Sequence, residues 1–273
     1  MFLRRVTAEL ELLVVLFMFL FVYVPLPVHG SATLVQQNNG GNNSCLGCGN
    51  SVAISFSNPV VAGNTIVAGI TSVVCCSVTL VSISDTLHST FTQAVQNNNG
   101  GKDFVYIYYA TLVSSGSDTI TVTFPGNVGG QNLYIYEVSG VTTTGVATGI
   151  GQGVGTSAAT TSTSFQGGAF LLGIVAVDSG GNTWTAGTGF TPSTDNTGHQ
   201  FSFAEWSDPP LSPTTFQAGL RLNVWAEVGI ALNPAPTPPP PPIPEYPFGL
   251  AVLAIFMIIG YGVIRRPTRS NSR

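Results

Sequence analysis

The sequence predicts an all-β protein, a Greek-key or jelly-roll-like β-sandwich ectodomain with two related halves, set between an N-terminal signal peptide and a C-terminal transmembrane helix. Three observations predict it. From about residue 51 to residue 232, short runs rich in Val, Ile, Thr, Tyr and Phe are separated by Gly, Asn, Ser and Asp clusters. The runs of the first half recur in the second. Two apolar segments bracket them, each carrying arginines on its outer side.

Arg4 and Arg5 precede an apolar run over residues 12–28, and Gly30, Ser31 and Ala32 follow it, the form of a signal peptide cleaved after Ala32 or Gly30. An uncleaved anchor is the alternative. Residues 33–50, with Gln36-Gln37-Asn38-Asn39-Gly40-Gly41-Asn42-Asn43, read as a polar lead-in without a core of its own. They hold the sequon Asn42-Asn43-Ser44, which makes Asn42 a glycan acceptor if the segment is exported.

The first half of the sandwich, residues 51–155, is expected to place strands near 51–57, 64–71, 77–84, 91–96, 104–111, 118–124 and 132–139. The second half, 156–233, is expected to place them near 162–166, 169–178, 183–186, 200–206, 214–218 and 223–232, after a Thr/Ser/Ala tract at 156–164. No window between the apolar segments has a helical period. The duplication rests on three echoes: Gly63-Asn64-Thr65-Ile66 against Gly168-Ala169-Phe170-Leu171, Thr90-Phe91-Thr92 against Gly189-Phe190-Thr191, and Tyr134-Ile135-Tyr136-Glu137-Val138 against Val224-Trp225-Ala226-Glu227-Val228. Two such units can close each other's open edges, which favours one pseudo-symmetric sandwich.

A Pro-rich stalk, residues 234–247, leads to an apolar stretch at 248–264 and a basic tail at 265–273 containing Arg265, Arg266, Arg269 and Arg273. As a helix the stretch covers roughly 25 Å, close to the hydrocarbon core of a bilayer. With arginines on the outer side of both apolar segments, the positive-inside rule places residues 33–242 outside and the protein at the cell membrane. Pro244-Glu245-Tyr246, then an apolar helix and an arginine cluster, resembles the PEF-type C-terminal sorting signals of archaeal surface proteins. The resemblance implies that Pro244, Glu245 and Tyr246 are read by a membrane transpeptidase, an archaeosortase, which removes the helix and transfers the protein to a lipid.

Between residues 33 and 242 Lys102 and Arg221 are the only Lys or Arg residues, against nine carboxylates, a net charge of about −7 that argues against nucleic acid or an anionic membrane surface as partner. Envelope proteins or glycans remain as partners. No G-x-S-x-G, H-E-x-x-H or P-loop is present, His88 and His199 lie in polar turn-like segments, and the expected protein is not an enzyme and carries no cofactor or metal. Glu137 and Glu227, at equivalent places in the repeat, would be the acids of a glycan-directed enzyme if one cleft held both. Tyr106, Tyr108, Tyr134 and Tyr136, on alternating positions of two strands, would make a sugar-stacking platform if their shared faces are exposed, with Trp184, Trp206 and Trp225 as further candidates. Asp178, Asp195 and Asp208 offer calcium ligands but no D-x-D-x-D loop.

Cys45, Cys48, Cys75 and Cys76 form two close pairs. In an oxidising exterior they read as two disulfides joining the 45/48 pair to the 75/76 pair, with a four-thiolate zinc site as the alternative. Non-reducing peptide mapping is expected to recover the two segments linked and free of metal; four free thiols with one zinc would reverse the assignment.

Overall fold

A computed structural model describes residues 30–42, 49–73, 82–180, 182–193, 201–208 and 215–237, together with Leu253, Phe256, Met257 and Tyr261. Residues up to Thr237 make one compact unit and those from Pro238 a second. The described part of the first unit is all-β, and every strand pairing in it is antiparallel.

The first sheet takes β1 (Thr33–Asn42), β3 (Thr65–Val73), β5 (Thr92–Asn98), β6 (Asp103–Thr111) and β8 (Gln131–Ser139) in the order β1-β8-β3-β6-β5. A small second sheet takes β2 (Ser51–Ser55), β4 (Ser82–Asp85) and β7 (Thr119–Thr123) in the order β2-β7-β4. The third takes β9 (Ala147–Ala159), β10 (Phe170–Val177), β11 (Thr191–Pro192), β12 (Ser202–Ser207) and β13 (Gln217–Leu232) in the order β11-β12-β10-β13-β9. Alternation assigns the cores. Val67, Val105, Ile107, Tyr134, Tyr136 and Val138 point from the first sheet to Phe170, Leu172, Ile174, Val228 and Ile230 of the third. Their neighbours Ile66, Ile70, Tyr106, Leu133 and Ile135 point the other way, to Ile120 and Val122 of the small sheet. The first sheet therefore lies between the other two, and β3, β6 and β8 are buried along nearly their whole length.

The two five-stranded sheets have the same succession. Reading β9, β13, β10, β12, β11 against β1, β8, β3, β6, β5 matches first strand to first, last to last and each intermediate to its counterpart. The third sheet also curls over its own far face. β13 slips register between Gly219 and Asn223, and the segment before the slip pairs Gln217 with Ala159 and Gly219 with Ser157. Thr185 closes this short ladder with two main-chain bonds to Gly219. Beneath it lies a separate core, with Val175, Phe203, Ala218 and Trp225 on one side and Leu171, Phe216 and Ala231 on the other.

Three sequence expectations change. Residues 33–42 are not a coreless lead-in but the strand β1, paired with β8 along its length. Residues 147–159 are one long strand, whereas no strand forms at 162–166; the glycines at 149, 151, 153 and 155 had replaced the apolar alternation by which a strand is recognised. Gly153 has a packing reason, since a Cβ there would stand 3.0 Å from the Trp225 ring. The segments 214–218 and 223–232 join across the register slip into β13. The chain accordingly passes from the first sheet to the third through residues 140–146, ahead of the expected boundary at 155/156.

Phe216 lies flat over two glycines, Gly173 of β10 and Gly229 of β13. A Cβ on Gly229 would come within 2.1 Å of Phe216 Cδ2, with the ring enclosed on its other sides. Gly229→Ala is expected to cost about 1–3 kcal/mol, read as a lower midpoint in chemical denaturation, and Phe216→Leu in the same chain to recover part of it.

Candidate functional site

Glu137 and Glu227 do not share a cleft. On β8, Tyr136 and Val138 face the third sheet, so Glu137 between them faces the small sheet; on β13, Ala226 and Val228 face the first sheet, so Glu227 faces the curled-over ladder. Two sheets separate the carboxyl groups. Glu137 is fully provided for: it accepts hydrogen bonds from Gln36 Nε2 at 2.7 Å, Val61 N at 2.8 Å and Asn64 Nδ2 at 2.6 Å. It fastens the edge strand β1 and the 60–64 turn to β8.

Glu227 is not provided for. It is 1% exposed and neither carboxyl oxygen has a hydrogen-bond partner. The charged group that acts on it is Glu205 of β12, which projects from the same face across β10, opposite Gly173, where a Cβ would stand 3.2 Å from Glu205 Cγ. Glu205 accepts from Gly187 N at 2.6 Å and Gln217 N at 3.0 Å. Burial pushes the Glu205 carboxyl up to about 7, against the pull of those two amides. Burial, then repulsion by Glu205, holds Glu227 well above the usual carboxylate range. The pair is enclosed in a protein core, out of reach of a sugar-sized substrate, and its consequence is for stability.

The tyrosine platform is corrected. Tyr134 and Tyr136 are fully buried between the first and third sheets, where their hydroxyl groups meet Ser202 at 2.8 Å and Ser193. Tyr106 and Tyr108 are buried on the opposite face, towards the small sheet. Alternation does put each pair on one face, but both faces of this sheet are covered. The tryptophans are used in packing as well: Trp184 stacks on Phe203 at 5.4 Å, Trp225 joins the same core, and Trp206 packs against the core between the large sheets. Asp178 pairs with Lys102 at 3.5 Å, and Asp208 accepts the Leu34 N–H at 3.0 Å. Cys45, Cys48, Cys75, Cys76, His199, Asp195, Pro244, Glu245 and Tyr246 lie outside the described residues, as does the side chain of Asn42, whose backbone ends β1.

An open groove lies beside Tyr109, the tyrosine that the alternating pattern passed over. It has a volume of about 260 Å³ and is lined by His88, Thr90, Thr92, Tyr109, Thr111 and Thr143. Tyr109 stands at the end of β6 and Thr92 is its cross-strand partner on the edge strand β5. Thr143 comes from the connector to the third sheet. His88 is exposed at the tip of the β4–β5 loop and has φ 59°, alone among the described non-glycine residues in the left-handed region. Two carboxylates brace that loop: Asp85 Oδ1 accepts Ser89 N at 2.7 Å, and Asp118 Oδ1 accepts Thr86 Oγ1 at 2.8 Å and Thr86 N at 3.2 Å.

Comparison of the chain with protein-family models, curated proteins and solved structures finds no match.

The buried acids give a signed pH dependence. A carboxyl held above its unfolded value contributes stability that is complete below that value, near 4.5, and is lost as pH rises through the folded one. Asp103, buried and also raised to about 7 mainly by desolvation, acts in the same direction as Glu205 and Glu227. Resistance to urea is expected to fall between pH 5 and pH 8. Glu227→Met, which removes an unpartnered acid and keeps its volume, is expected to stabilise the protein at pH 8 by about 1–3 kcal/mol and to flatten the pH profile.

Proposed function

We propose that the chain is a non-catalytic, cell-surface-anchored β-sandwich protein, built from two related jelly-roll-like halves and acting in the envelope layer, in adhesion or in cell contact. The observation that carries this reading is where the chain enters and leaves the folded body. A Cβ on Gly30 would lie 3.7 Å from both the Ala235 carbonyl oxygen and Thr237 Cγ2, so the chain enters and leaves the folded body at one point. Among the described residues no helix is long and apolar enough to cross a membrane. The four described residues of the tail, Leu253, Phe256, Met257 and Tyr261, are helical and exposed, a combination that suits contact with lipid.

Cleavage of the signal after Gly30 is the better of its two positions. Ala32 is buried in the main core and its N–H bonds to the Gly168 carbonyl at 2.8 Å, contacts that cleavage after Ala32 would discard. The cross-linking of Cys45/Cys48 to Cys75/Cys76 has support in the strands that lead to them, because β1 and β3 end on either side of Gln131. The relation of the halves has support in the matched strand succession and in Gly63 and Gly168, equivalent in the repeat and both left-handed, φ 89° and 82°.

Lys102 is the only lysine in the sequence, and its side chain is 63% exposed. A membrane-impermeant amine reagent applied to intact cells is expected to label Lys102; labelling only after lysis would refute an external body. Intact mass of the native protein then separates the two anchors, a retained C-terminal helix or a chain shortened near Pro244-Glu245-Tyr246 and carrying a lipid.

A further inference from the structure

The geometry points to the His88–Tyr109 groove as a binding site for one neutral saccharide unit. Four threonines, a tyrosine and a histidine, with Ala110 and Val113, line a space of about 260 Å³. Together they offer donors and acceptors that suit sugar hydroxyl groups, beside an aromatic side chain that can meet a pyranose face. Among the described residues no carboxylate, lysine or arginine lines it, which leaves an anionic or cationic ligand uncompensated. The volume falls just under that of drug-sized pockets, the scale of a single ring.

The loop that carries His88 is built for position. An exposed, non-glycine residue held left-handed is strained, and the strain persists only where surrounding bonds over-determine it. Asp85 and Asp118 supply those bonds from the small sheet, while Tyr109 is fixed on β6 and Thr143 forms the facing wall. The groove also opens at the end of the first sheet where the chain enters and leaves, because Thr111 continues through Thr65 and Val138 to Leu34 in one row. A sugar carried by a membrane lipid is therefore as accessible a source as a free or protein-linked glycan.

The test uses the full chain in phosphocholine micelles, which contain no sugar, with the methyl glycosides of glucose, galactose, mannose and N-acetylglucosamine followed by saturation-transfer NMR. At least one is expected to bind with a Kd of about millimolar, as a ligand of this size permits, and glucuronate to bind more weakly. Thr143→Val, nearly isosteric, is expected to weaken binding about tenfold. His88→Gly is expected to weaken it similarly while leaving the protein at least as stable, because glycine takes φ 59° without strain. Failure of all four glycosides to bind, or unchanged binding in both variants, would overturn the assignment. Vesicles bearing a neutral monoglycosyl lipid add the source: retention above plain phosphatidylcholine vesicles, lost in both variants, makes it a lipid headgroup, whereas binding of free glycosides alone makes it a soluble or protein-linked glycan.

Discussion

The central strands of the first sheet have no solvent face, and most of the structure follows from that. β3, β6 and β8 carry apolar residues on both faces, because successive side chains enter different cores. Such strands cannot fold without a layer on each side. The small sheet provides one and the third sheet the other, so the two halves of the chain stabilise each other through a shared wall. Two of the polar groups on that wall are paired across it, Tyr134 and Asn132 with Ser202; an unpaired hydroxyl or amide in a core costs more than the bond returns.

This arrangement decides what could be read from the sequence. The long apolar strands were legible, and so were the Gly-Asn-Thr-Ile and Glu-Val echoes, which fall on matching faces of matching strands. The faces themselves were not. Alternation says that Tyr134 and Tyr136 lie together, but only the third layer says that they lie in a core. β1 was missed because its Asn and Gln side chains look like a linker; in the fold they bond to Glu137, to the Asn58 carbonyl and to the Ser55 carbonyl, while the main chain pairs with β8. β9 was missed because glycine carries no pattern. The groove was missed for a related reason: Tyr109 sits next to Tyr108, off the alternation, and Thr143 belongs to a connector that no periodicity marks.

Glu137 and Glu227 show how one repeated residue can take two fates. In the first half the 60–64 turn and β1 bring three donors to the carboxylate. In the second half the corresponding space is occupied by the curled ladder and by a second acid, and the donors are spent on Glu205. The two positions correspond in the strand succession but not in their chemistry, and a pair of equivalently placed acids in a sequence speaks of position before it speaks of catalysis.

Six of the nine carboxylates between residues 33 and 242, namely Asp85, Asp103, Asp118, Glu137, Glu205 and Glu227, are buried, and Lys102 is paired with Asp178. The acidity implied by the composition is thus mostly internal. A body with so few charges on its outside gives dissolved ions little to screen, so its contacts should hold from fresh water to brine. Nor would neighbouring copies repel one another strongly at close range, which is the electrostatic condition for crowding side by side on a surface.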